Sequence, residues 1–233
     1  MIPARASDYY LAHKSRLLKQ HAKLMAFATD RLRARYGEAT TGAIMLEVQQ
    51  AFEDLIPAIP YIGGGANPFT GTLIRTASIV ALYRVLQRRG ACIEQTGELV
   101  SQMAELWVRR YPAVVRKLIG RLYMSRWWRR RMCKQALASQ SHRYRGDFVY
   151  EVVEGDGTEF DWGIDYLECG IVKFCHVQGA DELAPYLCRM DELLFPALGI
   201  TLQRRGTLAQ GCPRCDFRFR CGGQASTPLS TGA

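Results

Sequence analysis

The change of apolar spacing near Ser141 constrains this fold more than any other feature of the chain. Before it, apolar side chains recur at helical intervals among Lys and Arg. After it, β-branched and aromatic residues crowd into short runs bounded by turn sequence. Over residues 8–36, Leu11, Leu17, Leu18, Leu24, Met25, Phe27 and Leu32 keep helical spacing until Gly37 stops the run. Further helices are expected over 42–55, ahead of Pro57, over 70–89, closed by Gly90, and over 96–110, where Pro112 forces a break. Shorter helical sequence continues to Ser139. Residues 148–153 then read as a strand, 154–158 as a turn and 159–164 as the returning strand. Two helical segments over 166–178 and 182–195, and two short strands over 201–208 and 215–220, complete the pattern. The expected class is α+β: a helical N-terminal part packed on a small antiparallel sheet with two C-terminal helices.

Charge divides at the same place. Residues 1–140 carry 22 basic and 9 acidic side chains, whereas residues 141–233 carry 9 basic and 13 acidic. The organisation expected is a basic helical region over 1–140, a cysteine-rich α+β catalytic region over 141–221, and a small polar, disordered tail over 222–233, the first two forming one integrated domain. The first fourteen residues hold no apolar run of the kind a secretory signal needs, and no run reaches membrane-spanning length. Eight cysteines in such a chain imply reduced thiols and a cytoplasmic location rather than a disulfide framework.

Six of the eight cysteines fall between Cys169 and Cys221, among Asp181, Glu182, Asp191 and Asp216, with His176 beside Cys175. Thiols next to carboxylates point to reactive chemistry. Cys188 and Asp191 stand three apart on an expected helix and share a face. A carboxylate alone raises a thiol's pKa, so a cation is needed to activate Cys188, and His176 and Arg204 are the candidates. Cys169, one element earlier, is placed to approach Cys188, and Asp216 beside Cys215 is a second acid or base. The candidate catalytic set is therefore Cys169, Cys188, Asp191, Asp216 and His176. No cofactor is expected. The alternative is a zinc ion on Cys169, Cys188 and Cys215, completed by Asp191 or water. Cys212-Pro213-Arg214-Cys215 with Cys221 resembles half a zinc ribbon or part of an iron–sulfur segment, but no fourth ligand follows. The run Arg126-Trp127-Trp128-Arg129-Arg130-Arg131 reads as a solvated helix face anchored by its tryptophans, with neither specific nucleic-acid binding nor membrane attachment expected.

Taken in order, Cys169, Cys188-Arg189-Met190-Asp191, Arg204, Arg205, Thr207, Gly211 and Cys215-Asp216-Phe217-Arg218-Phe219 resemble the L-2-amino-thiazoline-4-carboxylic acid hydrolase family. The segment Ile59-Pro60-Tyr61-Ile62-Gly63-Gly64 with Asn67 and Thr70 is similar to its N-terminal half, so the resemblance spans roughly residues 40–220. Cys175, Cys212 and Cys221 stand outside the family's pattern. The resemblance implies a hydrolase that opens a cyclic amidine, adding water at the ring carbon between nitrogen and sulfur to give N-carbamoyl-cysteine. It implies a small heterocyclic acid as partner, with Arg204, Thr207 and Asn67 as substrate-binding residues, and Arg204, Arg205 or Arg218 available for the carboxylate. Two other readings stand beside it: a non-enzymatic binding or sensor module with a structural zinc, and a biosynthetic enzyme of the same fold acting on a different heterocycle. Nothing in the sequence sets the oligomeric state.

Overall fold

The computed structural model describes residues 6–222, so all but the first residue of the expected tail lies outside the described residues. The first expected helix is three: α1 (Ala6–Ala12), α2 (Lys14–Met25) and α3 (Thr29–Tyr36). Single tight turns divide them, such as the Ala28 N–H donating to the Met25 carbonyl at 2.9 Å. Such turns barely disturb apolar spacing, which explains why the sequence reads as one helix. α4 (Glu38–Leu55), α5 (Thr70–Arg88), α6 (Ile93–Arg109), α7 (Ala113–Tyr123) and α8 (Arg126–Ser139) follow.

The C-terminal part is β1 (Val149–Glu154), β2 (Trp162–Glu168), α9 (Gly170–Val177), α10 (Ala184–Ala197), β3 (Ile200–Gln203) and β4 (Cys215–Cys221). The fold is α+β, with one antiparallel sheet in the order β1-β2-β4-β3. Residues 166–168, expected to begin a helix, instead extend β2. Tyr166 pairs with Tyr150 on one side and Cys215 on the other, so ladder bonds on both edges hold it in the sheet. The strand expected over 201–208 ends at Gln203, and a short 3-10 turn occupies Leu208–Gln210.

α5 is the centre of the helical part. Thirteen of its residues are buried, from Thr70 to Leu86, so it is apolar nearly all round. One continuous buried cluster reaches from Leu17 through α5 to Phe219 on β4. α10 is held against α6 by a close approach. At Gly97 a Cβ would meet the Tyr186 ring at 2.0 Å, so only a glycine lets the two helices come this near. In the sheet, side chains alternate between faces. Trp162, Ile164 and Tyr166 of β2 register with Phe219, Phe217 and Cys215 of β4, and these six line the face toward the helices. Asp165, Asp216 and Arg218 point the other way.

Candidate active site

Between this sheet face and helices α5, α6, α8 and α10 lies a cavity of about 460 Å3. Its wall is largely apolar, with Met103, Trp107, Trp128, Met132 and Phe148 among the lining side chains. A few polar groups interrupt it: Cys169, Cys188 and Cys215, Asp191, Arg204, Tyr123 and Tyr166, and Thr72 and Arg75 of α5. An apolar cavity with a handful of convergent polar groups is the usual form of a small-molecule site.

Three separate elements deliver the thiols. Cys169 is the residue before α9, where the Val172 and Ile171 backbone amides at the start of that helix act to lower its thiol pKa. Cys215 opens β4, and its Sγ accepts from the Leu208 N–H at 3.1 Å. Cys188 lies on α10 one turn before Asp191, with Arg204 donating to the Cys188 carbonyl at 3.2 Å. Amides and a guanidinium favour thiolates, but desolvation wins. Burial pushes Cys169 up to about 12 and raises Cys188 and Cys215, and each thiol is raised further by like-charge neighbours in the cavity.

Asp191 behaves differently. Desolvation raises its carboxyl from 3.8 to about 6, only partly opposed by the Arg204 guanidinium 3.4 Å away. Among the described residues it is the one carboxyl on the cavity wall, poised to exchange a proton near neutral pH. Tyr123 and Tyr166 are also raised by desolvation, so both hydroxyls stay neutral.

The sequence-predicted residues divide. Cys169, Cys188, Asp191 and Arg204 share the cavity with Cys215. Asp216 does not. Strand alternation turns it to the opposite face, where it accepts from the backbone N–H groups of Arg205 and Gly206 at 2.9 and 3.1 Å. His176 is exposed and pairs with Asp181 at 2.9 Å, leaving Arg204 as the cation beside Cys188. Thr207 is buried with its hydroxyl on Gln210 at 2.9 Å, and Asn67 donates to Asp147 at 2.9 Å and to the Ile62 carbonyl at 2.7 Å; neither lines the cavity. Arg218 and Arg214 are both engaged with buried Asp165, at 2.6 and 2.9 Å. Arg205 lines a separate arginine-rich cleft on that opposite face. All eight cysteines are free. Among the described residues, no group of three or more His, Cys, Asp or Glu side chains is arranged to hold a metal ion.

Arg75 escaped the sequence reading. It lies on α5 and lines the same cavity, an exposed residue whose pKa desolvation lowers. A side chain of that kind sits on a cavity wall. It donates to Thr72 Oγ1 at 3.1 Å, and among the described residues no carboxylate pairs with it. The available signal is Thr72, Arg75 and Thr76, polar residues clustered within about a turn of a helix most of whose residues are buried.

These features define an α+β protein with a thiol- and carboxylate-lined small-molecule cavity. The family described as L-2-amino-thiazoline-4-carboxylic acid hydrolase matches residues 71–219, more than half of the chain and nearly all of the cavity wall. The chain belongs to that family. No curated protein and no solved structure matches it.

Proposed function

We propose that the chain hydrolyses a sulfur–nitrogen heterocyclic acid of the 2-amino-thiazoline-4-carboxylate type in this cavity. The observation that carries the reading is Asp191, its carboxyl raised to about 6, on one wall with Cys169, Cys188 and Cys215 inside the family-matched stretch. The Asp191 carboxylate receives the protonated amidine of the ring. That cation adds to the positive charge of Arg204 and lowers the thiol pKa at Cys188. The Cys188 proton passes to Asp191 as its sulfur bonds to the ring carbon. The ring carbon–sulfur bond then breaks, and the departing sulfur takes the proton from Asp191. Water adds to the same carbon with Asp191 accepting its proton, and Cys188 leaves as the thiol, taking that proton back. The carbonyl forms as the proton brought in on the amidine is released to solvent, and the product is the N-carbamoyl compound with a free thiol. Cys169 and Cys215, the latter with the Leu208 amide on its sulfur, border the reacting ring as weak donors, and the chemistry runs on side chains without a metal.

Arg75 with Thr72 takes the substrate carboxylate, since Arg204 is committed to Asp191 and to Glu192 at 2.8 Å. A cavity of about 460 Å3 lined by tryptophan and methionine fits a ring acid bearing an apolar body better than the bare amino-thiazoline. The test is turnover of 2-amino-thiazoline-4-carboxylate and of ring acids carrying alkyl or aryl groups, read by release of the free thiol before and after dialysis against a chelator. Chelator-resistant thiol release, faster on the larger acids, is expected. Saturable binding with no thiol release from any of them would make the protein a binding module instead.

A further inference from the structure

Helix α7 is amphipathic in the wrong sense for a helix of a closed protein. Gly120 is its only buried residue, pressed so tightly on α10's end that a Cβ would meet the Leu198 carbonyl oxygen at 2.0 Å. At about 100° per residue, Leu118 and Leu122 point away from that contact. They form one stripe with Val114, Val115 and Ile119, exposed by 64, 52, 78, 38 and 40 % respectively. Trp127, at the start of α8, is also 59 % exposed. Monomeric proteins rarely leave such a stripe uncovered without a use for it.

The surrounding charge indicates the use. Residues 106–146 contain twelve Lys and Arg and no Asp or Glu, and Lys117, Arg121, Arg126, Arg130 and Arg131 are all exposed. We propose that α7 and the start of α8 dock on an anionic lipid surface. The apolar stripe sinks to the boundary of headgroup and acyl chain, Trp127 sits at headgroup level, and the basic side chains meet lipid phosphates. No described helix is long and apolar enough to cross a membrane, so this attachment is peripheral. A second copy of the chain fits the stripe less well, because a two-fold contact would bring like-charged arginine fields together. Docking sets the cavity beside the lipid, since Tyr123 at the end of α7 and Trp128 and Met132 of α8 belong to its wall.

Vesicle flotation of the full chain tests this, with phosphatidylcholine alone or mixed with phosphatidylglycerol. Retention on the mixed vesicles only, weakened by salt, is expected. Leu118→Asp should lower partitioning at least about tenfold, and Lys117→Gln with Arg121→Gln about fivefold for each charge removed, at roughly 1 kcal/mol per charge. Circular dichroism should be unchanged, because these side chains touch solvent. Failure to float with anionic vesicles at low salt, equal binding to neutral vesicles, or wild-type flotation of Leu118→Asp would each overturn the proposal. So would light scattering that finds a wild-type dimer turned into a monomer by Leu118→Asp.

Discussion

The two faces of the C-terminal sheet use the same kinds of side chain to different ends. On the outer face, Asp165 is buried between Arg214 and Arg218, and Asp216 is held by two backbone amides. Every one of these charges has its partner. Around the cavity at the inner face, no carboxylate among the described residues pairs with Arg75, Asp191 is raised toward neutrality, and three thiols are raised by burial. A satisfied polar set holds structure, whereas an incompletely satisfied one around a cavity is ready for a ligand. The difference between the faces lies in completion and not in residue type.

The comparison breaks most decisively at Cys188. Cys188→Ser is nearly isosteric and should leave the fold intact while lowering kcat by on the order of a hundredfold or more. Cys212→Ser and Cys221→Ser, which do not line the cavity, should change kcat less than about threefold. Full turnover by folded Cys188→Ser would remove the thiol from the mechanism. Arg75→Gln comes next. It should raise KM for the ring acid by about tenfold or more, the worth of a charge-assisted hydrogen bond, with little change in kcat. A KM unchanged in Arg75→Gln would return the carboxylate to another cation. The smallest effect on turnover belongs to the outer face. Arg218→Ala leaves Asp165 with Arg214 alone and should cost about 1–3 kcal/mol in denaturant unfolding while kcat stays at the wild-type value. A kcat falling with Arg218 would show that the two faces are coupled.

Much of this was legible in the sequence, and the departures have physical causes. The α+β class follows from the change in apolar period, and Cys188 with Asp191 follows from helical spacing, because residues three apart on α10 share a face. The pairing of Cys215 with Asp216 applied that same sense of closeness to a strand, where neighbours point to opposite faces. The strand expected over 215–220 already contained that alternation. Arg75 is harder to see, because what distinguishes it from the other basic side chains of the helical region is its place on the cavity wall. That is a property of the packed fold. The α7 stripe carries a related lesson: apolar residues at helical spacing form a buried face only when another element arrives to cover it.

Asp191 also links the site to stability. Its carboxyl is raised from 3.8 to about 6 by burial, so between those values the folded chain keeps a proton that the unfolded chain releases. Its contribution to folding is therefore fully present below about pH 4 and fades as pH rises through about 6. Activity runs the opposite way, because the proposed mechanism needs the carboxylate.

The most direct test of the account is the pH profile of kcat/KM on a ring acid that the wild-type protein turns over, measured alongside Asp191→Asn and Asp216→Asn. The wild type should show a plateau above an acid limb centred near pH 6, falling about tenfold per pH unit below it. Asp216→Asn should reproduce both limb and plateau, while Asp191→Asn should lose the limb along with on the order of a hundredfold of the plateau rate. An acid limb that survives in Asp191→Asn, or a loss confined to Asp216→Asn, would place the chemistry on the other face of the sheet and contradict the account.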